Sequence, residues 1–192
     1  MPRPKTFDPD QALGGAMTLF WTRGYSATSL ADLETHLGLG RVSLYGTFGD
    51  KHQLFLECLR KYRQEVAAPL LQRLDDADGL TGIRRFFNAV LTAPPDIRRR
   101  GCLIVNTMVA ADEPDGDVNA VIHDHVQRVE RCFRRAIRTG QEAGTIGRHV
   151  KARASARLLV TVAHGAFALH RAGIDPGLTK MAVHAALATL TA

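Results

Sequence analysis

The stretch Gly24-Tyr25-Ser26-Ala27-Thr28-Ser29-Leu30-Ala31-Asp32-Leu33-Glu34-Thr35-His36-Leu37-Gly38-Leu39-Gly40-Arg41-Val42-Ser43-Leu44-Tyr45-Gly46-Thr47-Phe48-Gly49-Asp50-Lys51 reads as two short amphipathic helices joined by a tight turn, with the capped start of another directly behind. Ser29 with Asp32 forms a capping-box pattern that opens the first of them. Leu30, Leu33 and Leu37 give that helix one apolar edge, and Gly38 supplies the left-handed backbone its end requires. The next helix spans about Arg41 to Thr47 and buries Val42 or Leu44. Asp50, with Gln53 three residues on, caps the one after it. Two short helices with this turn between them are the pattern of a helix-turn-helix module for DNA.

Upstream, Asp8-Pro9 opens a helix in which Ala12, Ala16, Leu19 and Phe20 face inward, and Gly24 stops it. Downstream, Leu54, Phe55, Cys58, Leu59 and Tyr62 follow at helical spacing, and Pro69 is expected to break or kink that run. Further helices are expected at about Thr81–Leu91, ended by Pro94-Pro95, and at about Asp117–Ala143, Ala152–Ala172 and Gly177–Leu190. A mostly apolar stretch, Cys102 to Ala111, lies before a loop at Asp112–Gly116. The expected class is all-α with about nine helices: a three-helix DNA-binding domain over residues 1–50 and a larger helical domain over 51–192 for ligand binding and dimerisation.

The 192 residues suffice for a real core, and 45% hydrophobic with 23% charged residues is ordinary for a globular chain. A net charge of +6 suits a polyanionic partner, yet only +2 of it falls on residues 1–63 and +4 on the rest. Bulk charge therefore does not single out the DNA module. Cys58, Cys102 and Cys132 are far apart and odd in number, which argues against a disulfide framework or paired zinc ligands and for a cytoplasmic location. The start of the chain has charge without an apolar core behind it, so it does not read as a secretory signal. No apolar run approaches the roughly 20 residues of a membrane span.

In such a module the second helix enters the major groove while neighbouring groups clamp phosphates. The candidates there are Arg41, Val42, Ser43, Gly46 and Thr47. Arg41 suits guanine O6 and N7, and Ser43 or Thr47 a base edge or thymine methyl. Gly46 offers close backbone approach. Tyr45, Lys51, Thr28 and Ser29 are placed for phosphates, and Arg3 and Lys5 for the same from a flexible arm.

These residues, with Phe20-Trp21-x-x-Gly24-Tyr25, Thr28-Ser29-Leu30-x-Asp32-Leu33, Leu37-Gly38-Leu39 and Ser43-Leu44-Tyr45-x-x-Phe48-x-Asp50-Lys51-x-x-Leu54, closely resemble the TetR family of bacterial transcriptional regulators over roughly the first third of the chain. Gly101-Cys102-Leu103 is a further, slighter likeness. Two positions depart from the family pattern: Glu34 stands where a small alanine is usual, and Gly40 replaces the usual serine cap. The resemblance implies a homodimer through the last two helices on a palindromic double-stranded operator. The paired recognition helices would then sit about 34–36 Å apart or at a related spacing. Leu159, Val162, Ala163, Ala166, Phe167 and His170 form one candidate stripe, and Ala182, Ala185, Ala186 and Leu190 another; periodicity leaves both open as intramolecular core.

The resemblance also implies a repressor released by a small-molecule effector held in the C-terminal body. Cys102, Asn106, Met108, His125 and His164 are the candidate ligand contacts, with Thr107 beside them. Cys102 is alternatively a redox or electrophile sensor near a helix start and Arg98–Arg100. His123 and His125 diverge on a helix, so no metal site is expected, and no cofactor. A small helical enzyme or carrier is the competing class, but the chain has no phosphate loop, nucleophile elbow or zinc-binding His-Glu pattern. A DNA or protein-interaction module without ligand control is the third, and a cavity in the body separates it from the first.

Overall fold

Asp8 accepts the Asp10 N–H at 2.9 Å and Pro9 takes the first helical position, so helix α1 (Pro9–Arg23) starts where its sequence places it. The computed structural model describes residues 7–75, 78–110 and 116–191. Arg3, Lys5 and the loop residues Asp112 to Asp115 lie outside them. Helix α2 (Leu30–Leu37) carries the full capping box and ends at Gly38 with φ of 65°. Helix α3 (Arg41–Phe48) follows across that turn, and Asp50 caps α4 (Lys51–Tyr62) by accepting the Gln53 N–H at 2.8 Å.

Of the break or kink expected at Pro69, the break does not occur. Helix α4 passes into a π turn (Arg63–Ala67) and then α5 (Ala68–Gln72) without interruption. A proline deletes one N–H and crowds the carbonyl four residues back. The π turn inserts its extra residue just ahead of Pro69, which lets the chain absorb that loss as a bulge.

The body comprises α6 (Leu80–Thr92), α7 (Pro95–Arg100), α8 (Leu103–Ala110), α9 (Gly116–Glu142), α10 (Ala152–Arg171) and α11 (Pro176–Ala188). The short α7 was not expected from sequence. Its prolines both end α6 and start a new helix, because Pro95 occupies a first-turn position where no N–H is needed. There is no strand among the described residues. The long α9 packs along α10, which packs against α11, with α6 lying on α9 and α11.

Two apolar clusters hold these helices. One centres on Phe86, Phe87 and Phe133, whose rings meet edge-on at 5.0–5.3 Å for Phe86 with its two neighbours. The other joins α1–α4 to α8 and the first turns of α9 through Phe20, Phe55, Leu59, Leu103 and Ile122. The α1–α3 module is thus welded to the body by a shared core. Lys61, buried but for its ion pairs with Asp10 (2.7 Å) and Glu65 (2.6 Å), ties the start of α1 to the same rod.

Candidate nucleic-acid interface and buried cavity

Leu44 is fully buried and anchors α3 on α2 and α4, whereas Val42 is 88% exposed. The pair left open by the sequence resolves in favour of Leu44. Val42 therefore joins Arg41, Ser43 and Gly46 on the outward face, with Thr47 and Tyr45 half-buried at its margin. The Arg41 guanidinium lies over the Tyr45 ring at 5.4 Å from its centroid, which orients a long side chain at the start of the helix. A side chain at Gly46 would meet nothing within 4 Å in this chain.

The two departures from the family pattern compensate each other. Gly40 precedes α3 with no side chain to cap it. Glu34 Oε1, on α2, accepts the Arg41 N–H at 2.6 Å instead. A carboxylate at a helix N-terminus is also favoured by the helix dipole.

Thr28 corrects one expectation. Its side chain is fully buried and its hydroxyl donates to the Gly24 carbonyl at 2.6 Å, so it closes the loop between α1 and α2 and is not offered to a phosphate. Ser29 remains exposed, but its hydroxyl is committed to Asp32, donating to Oδ2 at 2.5 Å and accepting the Asp32 N–H at 3.1 Å. Asp32 also pairs with Arg23 at 2.7 Å, and the Ser29 bonds hold its carboxyl below the usual range. Lys51 stands at the first turn of α4 with its ammonium 4.3 Å from the centroid of Tyr25, which itself packs on Phe55 at 4.8 Å. Partial burial pushes the Lys51 pKa down, with Asp32 pulling it back up.

The second feature is a partly open cavity of about 320 Å³ in the body. Its walls come from α1 (Trp21), the α4–α5 rod (Tyr62, Val66, Leu70), α6, α7 (Arg98), α9 (His125) and α10 (His164, Phe167, His170), with Gly101 and Cys102 at one edge. Of the candidate ligand contacts, Cys102, His125 and His164 line it. Asn106 and Met108 do not. Cys102 to Val105 face inward, and each further residue of α8 turns about 100° away, leaving Asn106 at the cleft between the two halves and Met108 on the surface. The Asn106 amide instead donates to the Arg100 carbonyl at 2.8 Å.

Burial drives the Cys102 thiol pKa up despite its hydrogen bond with Tyr62 and nearby backbone N–H groups. That opposes the thiolate an activated sensor needs, so desolvation here outweighs the helix start. Burial likewise lowers His125 to about 4, with His164, Arg63 and Arg128 acting in the same direction and Asp124 against it. His164 is lowered by burial, and His170 by burial and Arg98. Sequence reasoning missed Trp21, Tyr62 and Arg98 as cavity walls, and placed Phe167 and His170 on a stripe it left open between subunit contact and intramolecular core.

A third surface lies outside α10 and α11. The stripe of Leu159, Ala163, Ala166 and His170 turns inward and is core, as are Ala186 and Leu190. The outward stripe on α10 is Leu158, Thr161 and Gly165, and on α11 it is Leu178, Met181 (73% exposed), Ala182 and Ala185.

Two family patterns match the chain. Residues 12–58 match "Bacterial regulatory proteins, tetR family", and residues 79–186 match "Tetracyclin repressor-like, C-terminal domain". The uncharacterized HTH-type transcriptional regulator YezE of Bacillus subtilis is 31% identical over 148 residues, covering 76% of each chain. The HTH-type transcriptional repressor ComR of Escherichia coli is 31% identical over 150 residues, covering 77% of this chain and 71% of that one. Among solved structures, a cysteine-substituted variant of the TetR family regulator CifR, complexed with 26-bp double-strand operator DNA, superimposes with a TM-score of 0.85. It is 26% identical and covers 98% of this chain and 99% of its own.

Two outcomes follow from the geometry. Glu34→Ala is expected to cost about 0.5–2 kcal/mol in urea unfolding, and adding Gly40→Ser to recover a few tenths of a kcal/mol of it. His125 takes up a proton near pH 6.5 when unfolded and near 4 when folded. Stability is therefore intact above pH 7 and falls as pH drops from 6.5 through about 4. His125→Leu is expected to remove about 2 kcal/mol of the loss measured between pH 7 and pH 5.

Proposed function

The chain belongs to the TetR family of DNA-binding transcriptional regulators, which are not enzymes, and on that premise we propose that it is a homodimeric repressor of a palindromic operator, released by a small-molecule effector. One observation carries the reading above the others: α3 buries Leu44 and turns Arg41, Val42, Ser43 and Gly46 outward. ComR and BdcR, 31% and 40% identical over their matched segments, are both named repressors.

In this reading α3 lies in the major groove. Arg41 donates to guanine O6 and N7, Val42 packs its methyls on a thymine methyl, and Ser43 and Thr47 meet neighbouring edges. Gly46 lets the backbone come close. Tyr45 and Lys51 hold phosphates on either side, Lys51 from a helix N-terminus that favours anions in its own right. Ser29 contributes through the exposed start of α2, while Thr28 supports the loop from behind. The outward stripes of α10 and α11 pair with those of a second copy into a four-helix interface, which sets the two α3 helices in register with a two-fold operator. A DNA partner puts the protein in the cytoplasm; no described helix is long and apolar enough to cross a membrane.

The effector occupies the histidine-lined cavity. Trp21 belongs to α1 and borders that cavity, and its Nε1–H donates to the Gly101 carbonyl at 3.2 Å. An occupant that repacks this wall therefore shifts α1, and with it the spacing of the two α3 helices. The ligand needs only to favour the DNA-incompetent arrangement to empty the operator.

Fluorescence anisotropy on DNA from upstream of the protein's own coding region tests the reading. Wild-type affinity is expected to fall steeply with salt. Arg41→Ala should relax preference at one base position by about 1–3 kcal/mol without unfolding the protein. Gly46→Ala should act with opposite signs, raising folded stability by about 0.5–1 kcal/mol while weakening operator binding. Unchanged base preference in Arg41→Ala, together with undiminished binding by Gly46→Ala, removes α3 from the groove.

A further inference from the structure

The cavity wall is chemically one-sided. His125, His164, His170, Arg73 and Arg98 border it, and no aspartate or glutamate does so among the described residues. His125 and His170 are 4% and 5% exposed, yet His125 Nδ1 and His170 Nε2 have no hydrogen-bond partner. Each such buried orphan costs about 1–3 kcal/mol, and native structures rarely keep one without a use.

Resting on the effector reading above, we infer that the cavity takes a small organic acid, an apolar body carrying one carboxylate whose oxygens accept from the orphaned histidine nitrogens. Charge selects against the alternatives. An ammonium group meets Arg73 and Arg98 and finds no carboxylate. A hydrocarbon leaves both ring nitrogens as they are. A carboxylate oxygen satisfies an imidazole N–H and brings the counter-charge that this wall lacks.

Size narrows the class. A cavity of 150 Å³ holds benzene, so about 320 Å³ admits one ring with a short chain.

The surroundings of the two histidines support the same sign. His125 faces His164 on α10, Arg63 on the π turn, and Arg128 and Asp124 on its own helix; Asp124 is already paired with Arg63. His170 faces Arg98 on α7. Tyr62 and Cys102 border the same space and bond to each other. The empty site disfavours a proton on each ring; a bound anion favours it.

Trp21 is the sole tryptophan and borders the cavity, so its emission reports binding without DNA. The probes are 4-phenylbutyrate, its primary amide and 4-phenylbutylamine, titrated by tryptophan fluorescence and calorimetry at pH 7. The acid is expected to bind at least about tenfold more tightly than the amide, and the amine least. In His125→Leu/His170→Leu, replacing both orphans by apolar side chains keeps the fold, which thermal unfolding verifies, and the acid's advantage over the amide disappears. Amide or amine binding as tight as the acid's, silence from all three compounds, or a double variant that keeps the acid preference overturns the assignment. The DNA titration is separate: operator binding without acid selectivity sinks only the ligand class, and acid binding without operator binding sinks the regulator.

Discussion

The last carbonyls of a helix have no partner within it, and at the end of α1 a guanidinium 150 residues further along the chain supplies one. Arg171, the final residue of α10, donates from Nη1 to the Trp21 carbonyl and the Arg100 carbonyl, both at 3.2 Å, and from Nη2 to the Thr22 carbonyl at 3.5 Å. A cation at a helix C-terminus is favoured by the helix dipole as well as by the bonds themselves. This one side chain joins the end of the first helix, the end of α7 and the end of α10. Gly101, with φ of 67°, lies directly beneath it, and an added Cβ there would approach the Phe167 carbonyl at 3.1 Å. The joint is therefore tight, and the cavity wall of Trp21, Gly101, Cys102 and His170 is built on it.

That arrangement gives the body's polarity a meaning. A helical bundle of this size has enough leucine, phenylalanine and alanine to fill its interior, as the Phe86–Phe87–Phe133 cluster does. The neighbouring space is left open and lined with histidines whose pKa values burial lowers, helped by nearby arginines at His125 and His170. The site shares Trp21 with the joint that positions α1. Binding chemistry and head geometry are consequently adjacent in the molecule, which is what a ligand-controlled DNA reader requires.

Much of the first fifty residues was legible because their structure is locally determined. The capping box at Ser29–Asp32, the left-handed Gly38 and the cap at Asp50 each act within a few residues, and all three appear as written. Periodicity, by contrast, tells which residues share a face and not what that face meets. It grouped Leu159, Ala163, Ala166 and His170 on one face and left their partner undecided; the first three join a core with α6 and α9, and His170 faces the cavity and Arg98. It also offered Val42 and Leu44 as equals, which only the packing of α2 and α4 separates. At Pro69 the sequence left break and kink open, because the π turn that carries the helix onward has no sequence signature of its own. Asn106 and Met108 lie off this cavity because α8 carries them to the neighbouring cleft and to the surface, a placement that depends on how α8 packs and not on its sequence alone. The compensation between Glu34 and Gly40 was invisible pairwise, since each reads alone as a defect.

The central claim is that the outward face of α3 reads base edges in the major groove as one of a pair. Guanine N7 lies in that groove, so dimethyl sulfate footprinting of the protein on its upstream DNA tests it most directly. The expected result is two symmetric clusters of protected guanine N7 on one face of the duplex, centred about 10 bp or a related spacing apart, with protection weakened in Arg41→Ala. A bound protein that leaves every guanine N7 reactive, or protects a single unpaired cluster, contradicts the account.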